Sequence, residues 1–396
     1  MESASALLGR FVLDLRTVVG RWVGPQKPAF SARSPRAWRV PGPAQTAGLG
    51  GRELEIVGRS AAGAGAVTLT LRDPSGAKIR FTPGQFFSVL VEVDGAPLRR
   101  AYSAASSALV EETIELTIKE VEGGRVSGLL NRSARAGDRL RVLGPSGSFT
   151  VTPTRGARRR LLLIAGGSGI TPMMSIVRTI LAVETETEIA LIYGNRDEGS
   201  ILYRAALAGL TAEFEGRLTV RLALEQAPEG WSGAVGRLVS EVLTPQLMGL
   251  PWPVLSASGC YLCGPEPMLR AARAALVGLG IEEDTIHEER FTRPEQRAEA
   301  PARARVATRL TLRRAGAETE AIAAAGATVL EAGLAAGLAM PFSCGLGGCG
   351  ACKVRLVDGE VAMEEPNCLS AEERAGGFVL ACVASPLRPC TIEVPA

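Results

Sequence analysis

The sequence predicts a multidomain protein: an antiparallel β-barrel, then an α/β domain on a parallel sheet, then a small α+β domain. Three observations predict it. Residues 52–150 read as short strands spaced regularly between turns, the pattern of an antiparallel barrel. Residues 157–292 alternate apolar strands with helical segments, which gives a parallel sheet. Residues 306–396 supply strands and a helix, followed by a glycine-rich loop that carries three cysteines.

The expected division is 1–51 for an N-terminal helix and linker, 52–156 for the barrel, 157–292 for the α/β domain, 293–305 for a second linker and 306–396 for the last domain. In the first segment, Leu7, Leu8, Phe11, Val12, Leu15, Val18, Val19, Trp22 and Val23 fall on one half of a helix, with Arg10, Asp14, Thr17 and Arg21 opposite. An aromatic-aliphatic face backed by arginines suits a membrane surface; packing on a core or on a partner is the alternative. Residues 24–51 are rich in Pro, Gly, Ala and Arg without periodicity and read as a linker.

The barrel strands are expected at Arg52–Arg59, Val67–Arg72, Phe86–Val93, Thr113–Glu120 and Arg139–Leu143, with one short helix at Arg125–Asn131. In the α/β part, Leu161–Ala165 is a continuous apolar run and so a strand buried on both faces. A helix from Pro172 to Ala182 follows it, and Glu188–Tyr193, Leu218–Ala223 and Gly259–Cys263 are further strands. Residues 293–305 are polar and Pro-punctuated, a linker that lets the last domain swing. That domain shows strands Val306–Arg313 and Thr319–Ala323 and a helix Thr328–Ala336.

Composition excludes several classes. A net charge of +3 over 396 residues is too close to neutral for a nucleic-acid binder. No run of about 20 apolar residues is present, so no transmembrane helix is expected, and Arg10, Asp14 and Arg16 interrupt the N-terminus too early for a signal-peptide core. A cytoplasmic compartment is expected, with any membrane contact peripheral, at the inner face. The chain has one histidine, His287, where a Rieske centre or a 2-His-1-carboxylate iron site needs two. His287 lacks a positioned nucleophile and reads as structural or exposed.

The most specific signal is Cys344-Gly-Leu-Gly-Gly-Cys349-Gly-Ala-Cys352, with 29 residues between Cys352 and Cys382. Four residues separate the first pair of cysteines and two the second, the plant-type spacing by which four thiolates hold a 2Fe–2S cluster. Sulfur carries negative charge and needs backbone N–H donors close by, which Gly345, Gly347, Gly348 and Gly350 permit. Zinc knuckles come as two short Cys pairs, and disulfides suit small secreted domains. Cys260, Cys368 and Cys390 have no ligand spacing and read as packing residues or exposed thiols. Six acids and no base lie between Asp358 and Glu373, a solvated face that near a cluster also steers a basic partner.

Further motifs gain weight together. Arg100-Ala-Tyr102-Ser103 sits at a strand end, where Arg can fork to a pyrophosphate, Tyr can lie against an isoalloxazine ring and Ser can bond ring or phosphate oxygens. Gly123-Gly124-Arg-Val126-Ser127 offers glycines and a hydroxyl before a short helix, a place for a second phosphate. Gly166-Gly167-Ser-Gly169-Ile-Thr171-Pro172 lies between an apolar strand and a Pro-initiated helix whose N-terminus attracts phosphate. Its spacing is not the Gly-x-Gly-x-x-Gly fingerprint, and a tight turn is the bland reading. Tyr261-Leu-Cys263-Gly264-Pro265 closes the set.

In this order, over residues 52–292, these motifs resemble the ferredoxin-NADP reductase-like flavoproteins, and the C-terminal part resembles plant-type ferredoxins. The whole is similar to the single-chain reductases of bacterial oxygenases and desaturases, such as the ketosteroid hydroxylase, phenylacetyl-CoA epoxidase and acyl desaturase types. The resemblance implies a flavin-binding barrel, a nicotinamide-binding α/β domain and a β-grasp ferredoxin. It implies that Arg100, Tyr102 and Ser103 bind the flavin, that Gly124, Val126 and Ser127 hold its phosphates, and that the flavin is FAD. By the same resemblance Thr171 lies near the flavin N5, Cys263 near the nicotinamide C4 in a steric role, and Glu289 and Phe291 beside the flavin. Tyr102, Ser103, Thr171 and Cys263 are thus the expected catalytic set. Gly166, Gly167, Gly169, Gly264 and Pro265 complete the nucleotide contacts, and Cys344, Cys349, Cys352 and Cys382 are the cluster ligands.

Arg196, at the end of the second α/β strand with Ser200 and Arg204 nearby, favours the 2′-phosphate of NADPH over NADH, a preference that the adjacent Asp197 and Glu198 weaken. The expected activity is NAD(P)H:acceptor oxidoreduction through FAD and a 2Fe–2S cluster to a protein acceptor. That acceptor is an oxygenase, hydroxylase or desaturase, including a membrane-bound lipid desaturase, and the reductase itself is a monomer. Two other classes compare with this: a reductase of small acceptors such as quinone or ferric chelates, and a non-enzymatic redox sensor. A sensor needs no flavin and nicotinamide sites together.

Overall fold

The computed structural model describes residues 51–291 and 306–395, apart from 94–95, 343–344, 346, 349, 365–366, 368 and 370. The expected N-terminal helix, both linkers, Cys344, Cys349 and Cys368 lie outside the described residues.

Strands β1 (Arg52–Gly63), β2 (Ala66–Arg72), β3 (Phe86–Val93), β4 (Ala96–Ser103), β5 (Thr113–Lys119) and β6 (Arg139–Ser146) form one antiparallel sheet in the order β4-β3-β6-β1-β2-β5. An antiparallel bridge from Ala104, just past β4, to Leu116 on β5 closes it into a barrel, which removes both edges. Alternation fills the interior: Leu54, Ile56, Leu69, Leu71, Val89, Val91, Ile114 and Leu116 are fully buried or nearly so. Helix α1 (Arg125–Ser133) caps the core with Val126 and Leu130. Its Asn131 amide donates to the carbonyls of Gly65 (3.0 Å) and Ile118 (2.9 Å), which ties the helix to the barrel wall.

The second sheet is wholly parallel. Its order is β10-β9-β8-β7-β11-β12, from β7 (Arg160–Gly166), β8 (Glu188–Asn195), β9 (Leu218–Leu224), β10 (Ala234–Val235), β11 (Gly259–Cys263) and β12 (Ile286–Glu289). The apolar run 161–165 is the centre of β7, and its side chains divide between two cores. Leu161, Leu163 and Ala165 face α2 (Ile170–Val183), in a core that also takes Leu207 of α3 (Arg204–Glu213). Leu162 and Ile164 face the core shared by α4 (Ser240–Met248) and α5 (Glu266–Gly278).

The first of these cores crosses into the barrel, since Ala62, Ala66, Ala105, Phe149 and Val151 pack in it beside Tyr203 and Tyr261. Polar contacts reinforce the seam. Arg178 on α2 donates to Glu115 (2.7 Å) and to the carbonyl of Ala105 (2.8 Å), Tyr203 N–H donates to Ala62 (3.0 Å), and the Tyr203 and Thr117 hydroxyls meet.

The third region is a mixed sheet, β14-β13-β19-β15-β17, of β13 (Thr308–Arg314), β14 (Ala317–Ala323), β15 (Lys353–Asp358), β17 (Phe378–Leu380) and β19 (Cys390–Glu393). Strands β16 (Val361–Met363) and β18 (Ala384–Pro386) pair separately. Only β13–β19 is parallel, and α6 (Val329–Ala335) packs on this sheet with Val329, Leu330 and Ala332, as in a β-grasp. A capping box starts α6: Glu331 N–H donates to Thr328 Oγ1 (3.2 Å) and Thr328 N–H donates to Glu331 Oε2 (2.9 Å). A short helix α7 (Ala371–Ala375) precedes β17.

Candidate functional site

Strand order reverses between β7 and β11, so their C-terminal ends flank the crevice where open α/β sheets bind ligands. Two of the sequence motifs meet there. Gly166 ends β7 and leads through Gly167–Gly169 into α2, while Cys263 ends β11 and leads through Gly264 and Pro265 into α5. The two turns touch backbone to backbone. A β-carbon on Gly169 would overlap the Cys263 carbonyl; one on Gly166 would stand 2.7 Å from Pro265 Cδ, and one on Gly264 3.0 Å from Gly166 N. Glycine is required at these positions by the approach, and at Gly167 by its φ of +53°.

Other side chains hold this turn in place. Thr171 Oγ1 donates to Ser168 O (3.0 Å), and the buried Tyr193 hydroxyl at the end of β8 donates to Gly167 O (2.9 Å). Lys119, which sequence reasoning passed over as an ordinary strand end, brings its Nζ from β5 to the glycine loop. The Ile170 N–H that opens α2 is taken by the carbonyls of Gly167 and Ser168, so a phosphate at this helix start would be met by the amides of the glycine turn ahead of it.

Cys263 is fully buried, and burial, with the Glu289 charge behind it, pushes its thiol well above the ordinary range. A neutral thiol there fills space and is no nucleophile. Pairing of β11 with β12 sets Glu289 opposite Cys263 and His287 opposite Tyr261. His287 is exposed and stacks on Tyr261 with ring centroids 4.7 Å apart. Phe291, just past β12, is exposed.

On the barrel side, Arg100, Tyr102 and Ser103 end β4, whose continuation Ala105 enters the shared core. Burial raises the Tyr102 phenol, with Arg100 opposing, so it stays protonated. The Ser103 hydroxyl is buried with no protein partner. A buried hydroxyl without a partner is costly, and a polar ligand atom relieves that cost. Gly124 caps α1, and a β-carbon on it would overlap the Ser127 hydroxyl. That hydroxyl accepts from Val121 N–H (3.2 Å), so Ser127 shapes the loop that leads into α1.

Arg196, past the end of β8, is largely exposed, and its Nε donates to Asp197 Oδ2 (2.9 Å). This contact is the main cause holding the Asp197 carboxyl below its usual range. Arg204 pairs with Glu198 (2.5 Å), and Ser200 is taken up in a capping box with Asp197.

In the third region, Cys352 and Cys382 are buried, and the Cys352 thiol donates to Cys382 Sγ at 3.1 Å, a separation too long for a disulfide. Gly347 N–H donates to Cys382 Sγ (3.3 Å), and Gly345, Gly347 and Gly350 all have φ near +70°. Two adjacent thiols, an amide aimed at sulfur and glycines in left-handed geometry fit a cluster held close to backbone.

Comparison with known proteins agrees with this geometry. Residues 59–151 match the oxidoreductase FAD-binding domain, 163–274 the oxidoreductase NAD-binding domain and 312–387 the 2Fe-2S iron-sulfur cluster binding domain. One subunit of the 1,2-phenylacetyl-CoA epoxidase of Escherichia coli K12 is 35% identical over 331 residues, covering 81% of this chain and 90% of that one. The ferredoxin reductase component of 3-ketosteroid-9-alpha-monooxygenase from Mycolicibacterium smegmatis is 34% identical over 337 residues, with 81% and 90% covered. Phthalate dioxygenase reductase shares the fold at 22% identity and a TM-score of 0.59, over 87% of this chain and 98% of that one. The chain thus belongs to the ferredoxin-NADP reductase-like iron–sulfur flavoproteins, NAD(P)H-dependent oxidoreductases that carry FAD and a 2Fe–2S cluster.

Proposed function

We propose that this chain is the reductase component of an oxygenase, hydroxylase or desaturase system, taking electrons from NADPH in preference to NADH. The observation that carries the reading is the backbone contact of Gly166–Gly169 with Cys263–Pro265 at the β7/β11 crevice, joined by the shared core to the strand that bears Arg100, Tyr102 and Ser103. When bound, FAD would supply a carrier that takes up the electron pair of one hydride and gives it up one electron at a time, which is the chemistry a one-electron protein acceptor needs.

The residues have these roles. Arg100 and the α1 turn at Gly124, Val126 and Ser127 hold flavin phosphates, and Tyr102 covers the ring. The Ser103 hydroxyl bonds a ring heteroatom. Gly166, Gly167, Gly169, Gly264 and Pro265 admit the nicotinamide nucleotide, and Thr171 fixes the turn beneath it. Cys263 sets the depth at which the nicotinamide stops, and Glu289 and Phe291 border the flavin. Arg196 leaves Asp197 to bind a 2′-phosphate, since an exposed ion pair holds it weakly. Cys344, Cys349, Cys352 and Cys382 hold the cluster.

The anaerobic visible spectrum tests this, read before and after NADPH or NADH. Flavin bands and a cluster envelope that NADPH bleaches faster are expected. A cluster that neither nucleotide bleaches, in a chain retaining no flavin, rejects the reading.

The amphipathic segment before residue 51 is proposed to dock this monomeric reductase on a membrane surface or membrane-bound acceptor. Among the described residues no helix is long and apolar enough to cross a membrane. Removing residues 1–50 is expected to weaken liposome binding and to spare dye reduction by NADPH; equal loss of both rejects the docking role.

A further inference from the structure

We infer that Arg99 is the residue on which the cluster loop docks against the flavin barrel, and that its charge is felt at the cluster. The inference rests on the flavin and cluster reading above. Strand β4 carries Arg99 beside Arg100, and strand alternation sends the two side chains to opposite faces. Arg100 turns back to donate from Nη1 to the Arg99 carbonyl (2.7 Å). Arg99 instead reaches the third domain.

Its Nη1 lies against Gly345, the neighbour of Cys344. A β-carbon on Gly345 would overlap Nη1 and stand 2.9 Å from Cζ and 3.2 Å from Cδ. Gly345 also has a φ of +66°. Two separate causes therefore require glycine at this position: its own backbone conformation and the guanidinium of another domain.

The juxtaposition matters because of what each side carries. Tyr102 and Ser103 lie three and four residues along the same strand, and Gly347, two residues along the loop, donates to a ligand sulfur of Cys382. One rigid strand thus bears the flavin contacts and the seat for the loop, a firmer support than a loop alone. A fixed positive charge beside the loop favours the more negative, reduced cluster and raises its potential. Electron balance is that of the family reaction. Two electrons enter with each hydride from NAD(P)H and leave singly, each reducing one ferric ion to ferrous before delivery to the acceptor, with the flavin proton released to solvent. Arg99 reacts with nothing; it is a positioning residue.

The test uses full-length protein carrying both cofactors, as wild type, Arg99→Lys, Arg99→Ala and Arg99→Glu. Anaerobic stopped-flow gives the rate of cluster bleaching relative to flavin bleaching, redox titration gives the cluster potential, and hydrogen exchange reports on residues 345–350. In Arg99→Ala the relative rate is expected to fall on the order of tenfold, the potential to move negative and exchange in the loop to rise. Arg99→Glu goes further in all three, and Arg99→Lys keeps the charge but not the planar fork, so it restores potential better than rate. If wild type bleaches normally and Arg99→Glu matches it in relative rate, potential and exchange, the Arg99 inference is overturned and the reductase reading stands. If NAD(P)H bleaches neither flavin nor cluster in wild type, the underlying reading fails first.

Discussion

Replacing Gly169 by alanine isolates the contact on which the nicotinamide site is built. The backbone there is ordinary, with φ −62° and ψ −8°, so alanine meets no torsional strain and any damage comes from the new β-carbon. That carbon would overlap the Cys263 carbonyl oxygen, stand 2.5 Å from its carbon and 3.0 Å from Gly264 N. All are backbone atoms, so no rotamer change relieves the overlap. Ordinary contact begins at 3.4 Å, and restoring it at the carbonyl oxygen parts the two turns by about 1.4 Å. Overpacking of this kind costs about 1–3 kcal/mol of stability, and a misplacement of about 1 Å costs on the order of 100-fold in rate. Stopped-flow reduction of the bound flavin by NADPH is therefore expected to slow by about 100-fold, with the cluster absorbance intact. Gly209→Ala on α3 is the control, because nothing lies within 4 Å of its β-carbon. Wild-type flavin reduction in Gly169→Ala would refute the claim that the touching turns set the site.

Three further outcomes are expected. Glu184 has a fully buried side chain that accepts from Thr154 N–H (2.9 Å), Thr187 Oγ1 (2.6 Å) and Arg159 Nε (3.0 Å). Burial alone would raise its carboxyl; the bonds from Arg159, Thr187 and Thr154 outweigh burial and hold it below the usual 4.5. Its contribution is thus complete above that pH and fades as pH falls through the lower native value. Glu184→Gln should cost about 2–3 kcal/mol at neutral pH, below the full range for a buried pair because Arg159 is partly exposed. Thermal melts of wild type and variant should converge in acid. Cys352→Ser and Cys382→Ser should each abolish the cluster spectrum and cytochrome c reduction while flavin reduction by NADPH continues; Cys390→Ser, in β19, should keep the cluster. Arg196→Ser should raise the KM for NADPH about tenfold, close to the worth of one charge-assisted hydrogen bond at an exposed site, and leave that for NADH unchanged.

Much of the architecture was legible because it rests on local rules. The apolar run 161–165 had to be a doubly covered strand, and it is the centre of β7. Helix α2 begins at Ile170, two residues before Pro172, since Pro tolerates a place in the first turn. The motif Arg100–Ser103 marks the end of a strand, but Pro97, Arg99 and Arg100 spoil the alternation that would give that strand a range; pairing with β3 sets it as β4. Two-residue β10 and four-residue β12 are too short to show a period.

In the candidate site, cysteine spacing and glycine turns were readable because thiol ligation and close backbone approach each demand particular residue types. That Glu289 sits opposite Cys263 follows from register between strands 23 residues apart in sequence, which no local pattern encodes. The same holds for Lys119 at the glycine loop, Arg99 at Gly345, and the Arg178, Tyr203 and Thr117 contacts across the seam.

The core that crosses from the barrel into the α/β sheet makes those two parts a single unit of inheritance. A cut near residues 151–160 would strip Phe149 and Val151 from Met173, Ile176 and Tyr261, leaving an oily scar on each half. Among the described residues, the gap between Phe291 and Val306 crosses no such core. Recombination, in nature or at the bench, can therefore exchange the iron–sulfur module for another and keep the flavin–nicotinamide engine whole, but it cannot readily trade that engine's two halves.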